Sequence, residues 1–157
     1  MPIWETKTGQ DGDDNPRVVC RSLSMQGTLD DFLALGLPKL EKLWVDGNFL
    51  SGTLPASLPE AWPSLVSLDL YANRFTGSVP SSWASLHWQK LQLNDNLLSG
   101  QLPSVFWRAG ICHFSIAVNS ELGGCIPATR SLSNVVNELD DHQQITGTKL
   151  RFCGDEL

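Results

Sequence analysis

The sequence is poor in several of the residues from which chemical sites are built. Its 157 residues include only four cysteines, at 20, 112, 125 and 153, and three histidines, at 87, 113 and 142. No CxxC pair or close Cys/His grouping occurs, which excludes a zinc site of ordinary spacing. The acidic run DGDDNP at 11–16 lacks the ligand spacing and terminal Glu of a calcium loop. No metal or other cofactor is therefore expected. GxSxG, HExxH and phosphate-loop patterns are missing, and Cys112 and His113 are adjacent residues that a strand would point to opposite faces. Basic residues are scarce: 11 Lys and Arg stand against 17 Asp and Glu, for a net charge of −6, and none cluster. A nucleic-acid or anionic-membrane partner needs a concentrated basic face, so neither is expected. No apolar run approaches the ~20 residues that cross a bilayer, so this segment should not insert directly into a membrane. The opening residues MPIWETKTGQDGDDNP lack the hydrophobic stretch of a secretion signal. No Asn heads an N-x-[ST] sequon.

What the chain does contain is a repeat. The phrase LxxLxLxxNxLxGxLP recurs about every two dozen residues. It reads LEKLWVDGNFLSGTLP at 40–55, LVSLDLYANRFTGSVP at 65–80 and WQKLQLNDNLLSGQLP at 88–103. ICHFSIAVNSELGGCIP at 111–127 is a fourth copy with one residue added after its Asn, and VVCRSLSMQGTL at 18–29 is a degenerate opening copy.

Each position in the phrase has a physical reason. The LxL core is a short strand that sends Leu43 and Val45, Leu68 and Leu70, Leu91 and Leu93, and Phe114 and Ile116 inward, with the residues between them outward. Such strands are unstable alone and must stack about 4.8 Å apart in a parallel ladder. Asn48, Asn73, Asn96 and Asn119 fall where a buried amide can bond backbone groups left open by the turn. Gly52, Gly77, Gly100 and Gly124 suit a second tight bend, and Pro55, Pro80, Pro103 and Pro127 halt further pairing. The segments that follow should form irregular or 3-10 turns whose Trp62, Trp83 and Trp107 fill the space between layers.

The LxGxLP phrase after the Asn resembles the plant-type leucine-rich repeat of receptor-kinase ectodomains and polygalacturonase-inhibiting proteins. The Trp in VPSSW at 79–83 is similar to that in repeats of kinetoplastid promastigote surface antigens and proteophosphoglycans. The resemblance covers about Val18 to Pro127. It implies a leucine-rich-repeat solenoid, a right-handed superhelix with a concave parallel sheet of short strands, acting in recognition at a cell surface or extracellularly. Such domains commonly carry an N-terminal cysteine pair, whereas only Cys20 stands in that region here.

The chain reads as one domain, with residues 1–29 as cap and degenerate repeat, 30–127 as four repeats and 128–157 as C-terminal cap. Outward residues should align in rows across strands: Arg17, Lys42, Ser67, Lys90 and His113; Val19, Trp44, Asp69, Gln92 and Ser115; Arg21, Asp46, Tyr71, Asn94 and Ala117. The expected ligand surface is Trp44, Asp46, Asp69, Tyr71, Gln92 and Asn94, exposed and mixed in polarity, suited to a protein, peptide or glycan. A structural spacer without a ligand is the competing reading. A glycoside hydrolase using Asp46 and Asp69 is a third, disfavoured because a shallow ladder offers the carboxylate spacing without a cleft. At the C-terminal end, Val135, Val136 and Leu139 can form the apolar stripe of a covering helix, and TGTKLRF can add a last strand. A disulfide between Cys125 and Cys153 would hold that cap, with Cys112–Cys153 as the rival pairing and buried thiols as the alternative for Cys20 and Cys112.

Overall fold

A computed structural model describes residues 17–19, 24–108, 111–127 and 146–153. The proposed helix carrying Val135, Val136 and Leu139 lies outside them, as do Cys20 and the side chains of Trp107 and Cys153.

In chain order the strands begin with β1 (Arg17–Val19), β2 (Gln26–Gly27), β3 (Lys42–Trp44), β4 (Phe49–Thr53), β5 (Ser67–Asp69) and β6 (Arg74–Gly77). They continue with β7 (Lys90–Gln92), β8 (Leu97–Gln101), β9 (His113–Ser115), β10 (Glu121–Pro127) and β11 (Lys149–Cys153). Odd-numbered strands β1, β3, β5, β7 and β9 form a five-stranded parallel sheet from the LxL cores. The register places Lys42, Ser67, Lys90 and His113 in one row and Trp44, Asp69, Gln92 and Ser115 in the next, as the repeat alignment expects. Every expected inward residue, from Leu43 to Ile116, is buried.

A second parallel sheet, of six strands in the order β11-β10-β8-β6-β4-β2, replaces the expected tight bend. Its strands are built from the NxLxG half of the repeat, where Leu50, Phe75, Leu98 and Leu122 point inward. Gly52, Gly100 and Gly124 sit within these strands, and Gly77 is the last residue of β6. Gly77 has φ +76°, and a β-carbon there would lie 3.1 Å from Cγ2 of Thr53 in the preceding layer. Only glycine lets the strands pass that closely in that conformation. β11 extends this second sheet, confirming TGTKLRF as the source of a last strand.

The side of the short turns carries the helix α1 (Leu29–Leu33) in the first layer and α2 (Leu58–Ala61) in the next. Thr28 and Asp31 close a capping box on α1, and Thr28's backbone and side-chain hydrogen bonds hold the Asp31 carboxyl below its usual range. Later layers use 3-10 turns, Ser81–Ser85 and Ser104–Arg108. Trp62 and Trp83 fill the interior as expected, from different places along their loops. Leu58, Trp83 and Phe106, each three residues after its LP proline, share the equivalent place and are all buried. Trp62 lies farther along a longer loop, also buried. Trp83 donates its indole N–H to the Pro55 carbonyl at 2.8 Å and so ties one layer to the last.

The layers are held together at the turn between the sheets. Asn73 Oδ1 accepts the Leu50 N–H of the preceding layer at 3.0 Å, while its Nδ2 donates to Val45 O of that layer at 2.9 Å and to Leu70 O of its own at 3.2 Å. Asn96 and Asn119 repeat the pattern. Asn48 starts the series by accepting the N–H of Met25, the opening copy's equivalent of Leu50; the Asn position itself is held by Leu23 there. The residue before each asparagine is left-handed: Gly47, Ala72, Asp95 and Val118 have φ between 53° and 67°. Val118 is the costly member, because its branched Cβ crowds the backbone there.

Two stability measurements test this architecture. Leu68→Ala should lower the unfolding free energy by about 2–5 kcal/mol through the cavity it leaves. Asn73→Ala should cost about 3 kcal/mol or more by orphaning one buried N–H and several carbonyls; a loss under about 1 kcal/mol in urea titration would show that the ladder does not pin the layers. Conversely, Val118→Gly should raise stability by about 0.5–1 kcal/mol, since the side chain is exposed and the backbone conformation already suits glycine.

Candidate functional site

The outward residues of the five-stranded sheet form a connected surface, but a more closed one than alternation alone implies. Trp44 does not stand upright. Its indole Nε1 donates to Ser67 Oγ at 2.9 Å, so the ring leans over the neighbouring strand β5. From the other side Lys90 Nζ reaches Asp69 Oδ2 at 2.8 Å and lies 5.6 Å from the centre of the Trp44 ring, within cation–π range. Asp69 Oδ1 accepts the Tyr71 N–H at 3.1 Å. Ser67 and Asp69 are thereby covered.

This corrects the expected exposure of the middle row. Asp69 is only 4% exposed, and Trp44 and Gln92 are half-buried. The direction of each side chain follows the alternation as expected. Long side chains from strands on either side then close over the short ones between them. With one carboxylate oxygen on an ammonium and the other on a backbone N–H, Asp69 is engaged as a structural acceptor, an arrangement that works against its use as a general acid or base.

The third row continues past the strand ends. Backbone bonds Gly47 N to Tyr71 O (2.9 Å), Ala72 N to Asn94 O (3.2 Å) and Asp95 N to Ala117 O (2.9 Å) keep Asp46, Tyr71, Asn94 and Ala117 side by side. Tyr71 is 43% exposed and is the accessible aromatic of the sheet. Asp46 and Asn94 beside it are half-buried, and Asn94 Oδ1 is buried without a hydrogen-bond partner. The fold thus brings all six sequence-expected residues, Trp44, Asp46, Asp69, Tyr71, Gln92 and Asn94, onto one face. Ser67 and Lys90, which complete the central cluster, were legible as row members; the signal for their role was an acid one strand from a lysine, with a tryptophan one strand further.

Sequence reasoning missed the residues beside the asparagine ladder. Phe49, Leu97 and Val118 are large, apolar and exposed. The Arg74 guanidinium lies over the Phe49 ring at 4.6 Å. The signal for Phe49 and Leu97 was the x after the Asn, which faces away from the inward Leu of the second sheet and is apolar in two of the four copies; Val118 stands instead just before its Asn.

Among the described residues no group of His, Cys, Asp and Glu is placed to hold a metal ion, and no helix is long and apolar enough to cross a membrane. Cys112 is a free, exposed thiol, which removes both its buried reading and the Cys112–Cys153 pairing. Cys125 is disulfide-bonded.

Comparison with known proteins places these features. Residues 39–61 and 64–86 match the family model described as Leucine Rich Repeat. Pollen receptor-like kinase 2 of Arabidopsis thaliana is 39% identical over 71 residues, which is 45% of this chain but 10% of the kinase, so the chain matches only a tenth of that protein's length. The ectodomain of the receptor kinase HAESA from the same plant, solved with an IDA peptide hormone, is 31% identical with a TM-score of 0.71, covering 90% of this chain and 23% of that one. The BIR2 ectodomain of Arabidopsis thaliana is 33% identical with a TM-score of 0.73 and is matched over 91% of this chain and 73% of its own. Two sheets, an asparagine ladder and the LxGxLP phrase accord with that likeness, and the chain belongs to the plant-type leucine-rich-repeat family.

Proposed function

We propose that the chain is a non-catalytic recognition module that binds a protein or peptide through its concave five-stranded sheet, at a cell surface or extracellularly. The observation that carries this reading is Tyr71, a large aromatic exposed just past the end of the central strand β5, between Asp46 and Asn94. Exposed aromatics ringed by polar groups are the usual anchors of an interface. A polypeptide is favoured over a glycan by the HAESA relative, whose solved complex holds a peptide hormone. The engaged state of Asp69 supports the absence of a chemical step, and the exposed Tyr71 speaks against a mere spacer. The unit is a single domain with residues 1–29 and 128–157 as its caps. A nearer kinship to kinetoplastid surface antigens rests on the Trp of VPSSW alone.

The second part of the proposal is that Cys153 is the partner of Cys125. Cys125 is bonded and Cys112 is free, while β11 pairs with β10 in a register that sets Cys125 beside Arg151 and Pro127 beside Cys153. Cys20 belongs to the opening copy at the far end of the stack. The link closes a loop of about thirty residues, worth about 3–4 kcal/mol in the chain-entropy account, and suits an oxidising compartment. Non-reducing peptide mapping should recover the Cys125 and Cys153 peptides joined; Cys125 joined to Cys20 overturns the pairing.

The binding proposal is tested by screening the purified chain against extracellular proteins, peptides and glycans. Tyr71→Ala should weaken the polypeptide partner by about 2 kcal/mol, roughly thirtyfold, and leave folding intact. Trp44→Ala should weaken it too, and also lower stability by uncovering Ser67 and Asp69. Binding that persists in the double variant moves the site off this sheet. Asp69→Ala gives a separate readout. It should destabilise the fold by about 1–3 kcal/mol, because the Tyr71 N–H and the half-buried Lys90 lose their acceptor; a neutral effect would mean that the cluster is only a surface contact.

A further inference from the structure

Four of the six large apolar side chains left exposed on the described surface lie beside the asparagine ladder, one in each of four successive layers. Phe49 and Leu97 follow Asn48 and Asn96, Val118 precedes Asn119, and Tyr71 stands two before Asn73. The ladder is continuous from layer to layer, so these residues flank one column at the turn between the two sheets. Leu97 is 61% exposed, the most of any of them. Adjacent layers of a parallel ladder are about 4.8 Å apart, so the four residues, set at different places around the turn, span about 14 Å along the stack.

Its surroundings are not neutral. On the side of the five-stranded sheet stand Asp46 and the exposed Asp95, which makes no ion pair among the described residues. Glu121 is already bridged to Lys149. Arg74 is drawn over the Phe49 ring. The floor of the sheet, meanwhile, is closed by its own bonds between Trp44, Ser67, Lys90 and Asp69. A partner gains little by displacing those contacts and more by covering the apolar side chains that stay exposed among the described residues.

We propose that the ladder edge, with Phe49, Tyr71, Leu97 and Val118 as its apolar column, is a docking surface for a polypeptide segment that carries apolar side chains flanked by Lys or Arg. Asp95 faces the basic groups of that segment, and Tyr71 joins the edge to the sheet. The inference rests on the reading of the chain as a polypeptide-recognition module and moves its main contacts from the floor of the sheet to the rim.

The test is selection of a random dodecapeptide phage library on the full chain, followed by titration of the enriched synthetic peptides. Enrichment of aromatic or aliphatic residues together with Lys or Arg is expected, with binding that weakens as salt rises. Leu97→Ser and Phe49→Ser should each reduce affinity at least tenfold, and Asp95→Asn by a smaller factor. His87→Ala, at an exposed position after a 3-10 turn, should change nothing. Val118→Gly serves as a column variant expected to keep the fold, checked alongside the others by thermal unfolding. Peptides that tolerate Leu97→Ser and Phe49→Ser but lose affinity in Trp44→Ala overturn the rim while leaving the sheet as the site. Enrichment of acidic peptides overturns the inference as well. Peptides insensitive to every one of these substitutions, or no enrichment at all, overturn both the rim and the recognition reading.

Discussion

The buried asparagine at each turn is the constraint on which the rest depends. Stacking short strands leaves every layer with backbone groups at its turn that neither sheet can pair, and burying them unpaired would cost about 1–3 kcal/mol apiece. One amide per layer answers both needs, because its oxygen serves the preceding layer and its nitrogen bridges two layers at once. The bonds run between layers, not from one asparagine to the next. This fixes the vertical spacing and the register together, and a slip of one layer against another would break the same contacts that hold them apart. The opening copy obeys the same rule although it has Leu23 in the asparagine position: the Met25 N–H, equivalent to that of Leu50, is met by Asn48 of the next layer.

That constraint also shapes the surface. To aim the amide inward, the residue before it must take a left-handed conformation, and the chain then leaves the five-stranded sheet and enters the six-stranded one at a sharp edge. Side chains beside the asparagine are forced outward at that edge, whatever their chemistry. Polar residues would cost nothing there. Phe49, Tyr71, Leu97 and Val118 are therefore not a by-product of the core, whose apolar demand is met by the alternate positions.

Much of this was legible in the sequence. The inward leucines, the asparagine ladder, the row register and the 3-10 turns follow from a two-residue alternation nested in a repeat of about two dozen residues. The second sheet was not, because glycine at Gly52, Gly77 and Gly100 reads as a bend by composition. It is the close approach of threonine or serine from the layer before that makes glycine a strand residue there. Trp62 and Trp83 are buried as expected, but loop length, which the repeat phrase does not fix, places Trp83 level with Leu58 and Phe106, and Trp62 elsewhere. Asp69 shows the limit of alternation itself: the pattern gives the direction of a side chain, but its burial is decided by how far Trp44 and Lys90 reach across from other strands.

The same reach separates two kinds of outward position. Asp69, Ser67, Lys90 and Trp44 form a group in which each member's environment depends on the others, so a change at one alters stability as well as surface. Residues of the ladder edge are different. Leu97 and Val118 contribute little to the core and can be exchanged with little loss of fold, while the backbone that presents them is locked by the asparagines two bonds away. A rigid frame with freely variable side chains is the arrangement that keeps the ordering cost of association small. In this fold that condition is met at the rim more fully than on the floor, because the floor's side chains are already committed to one another.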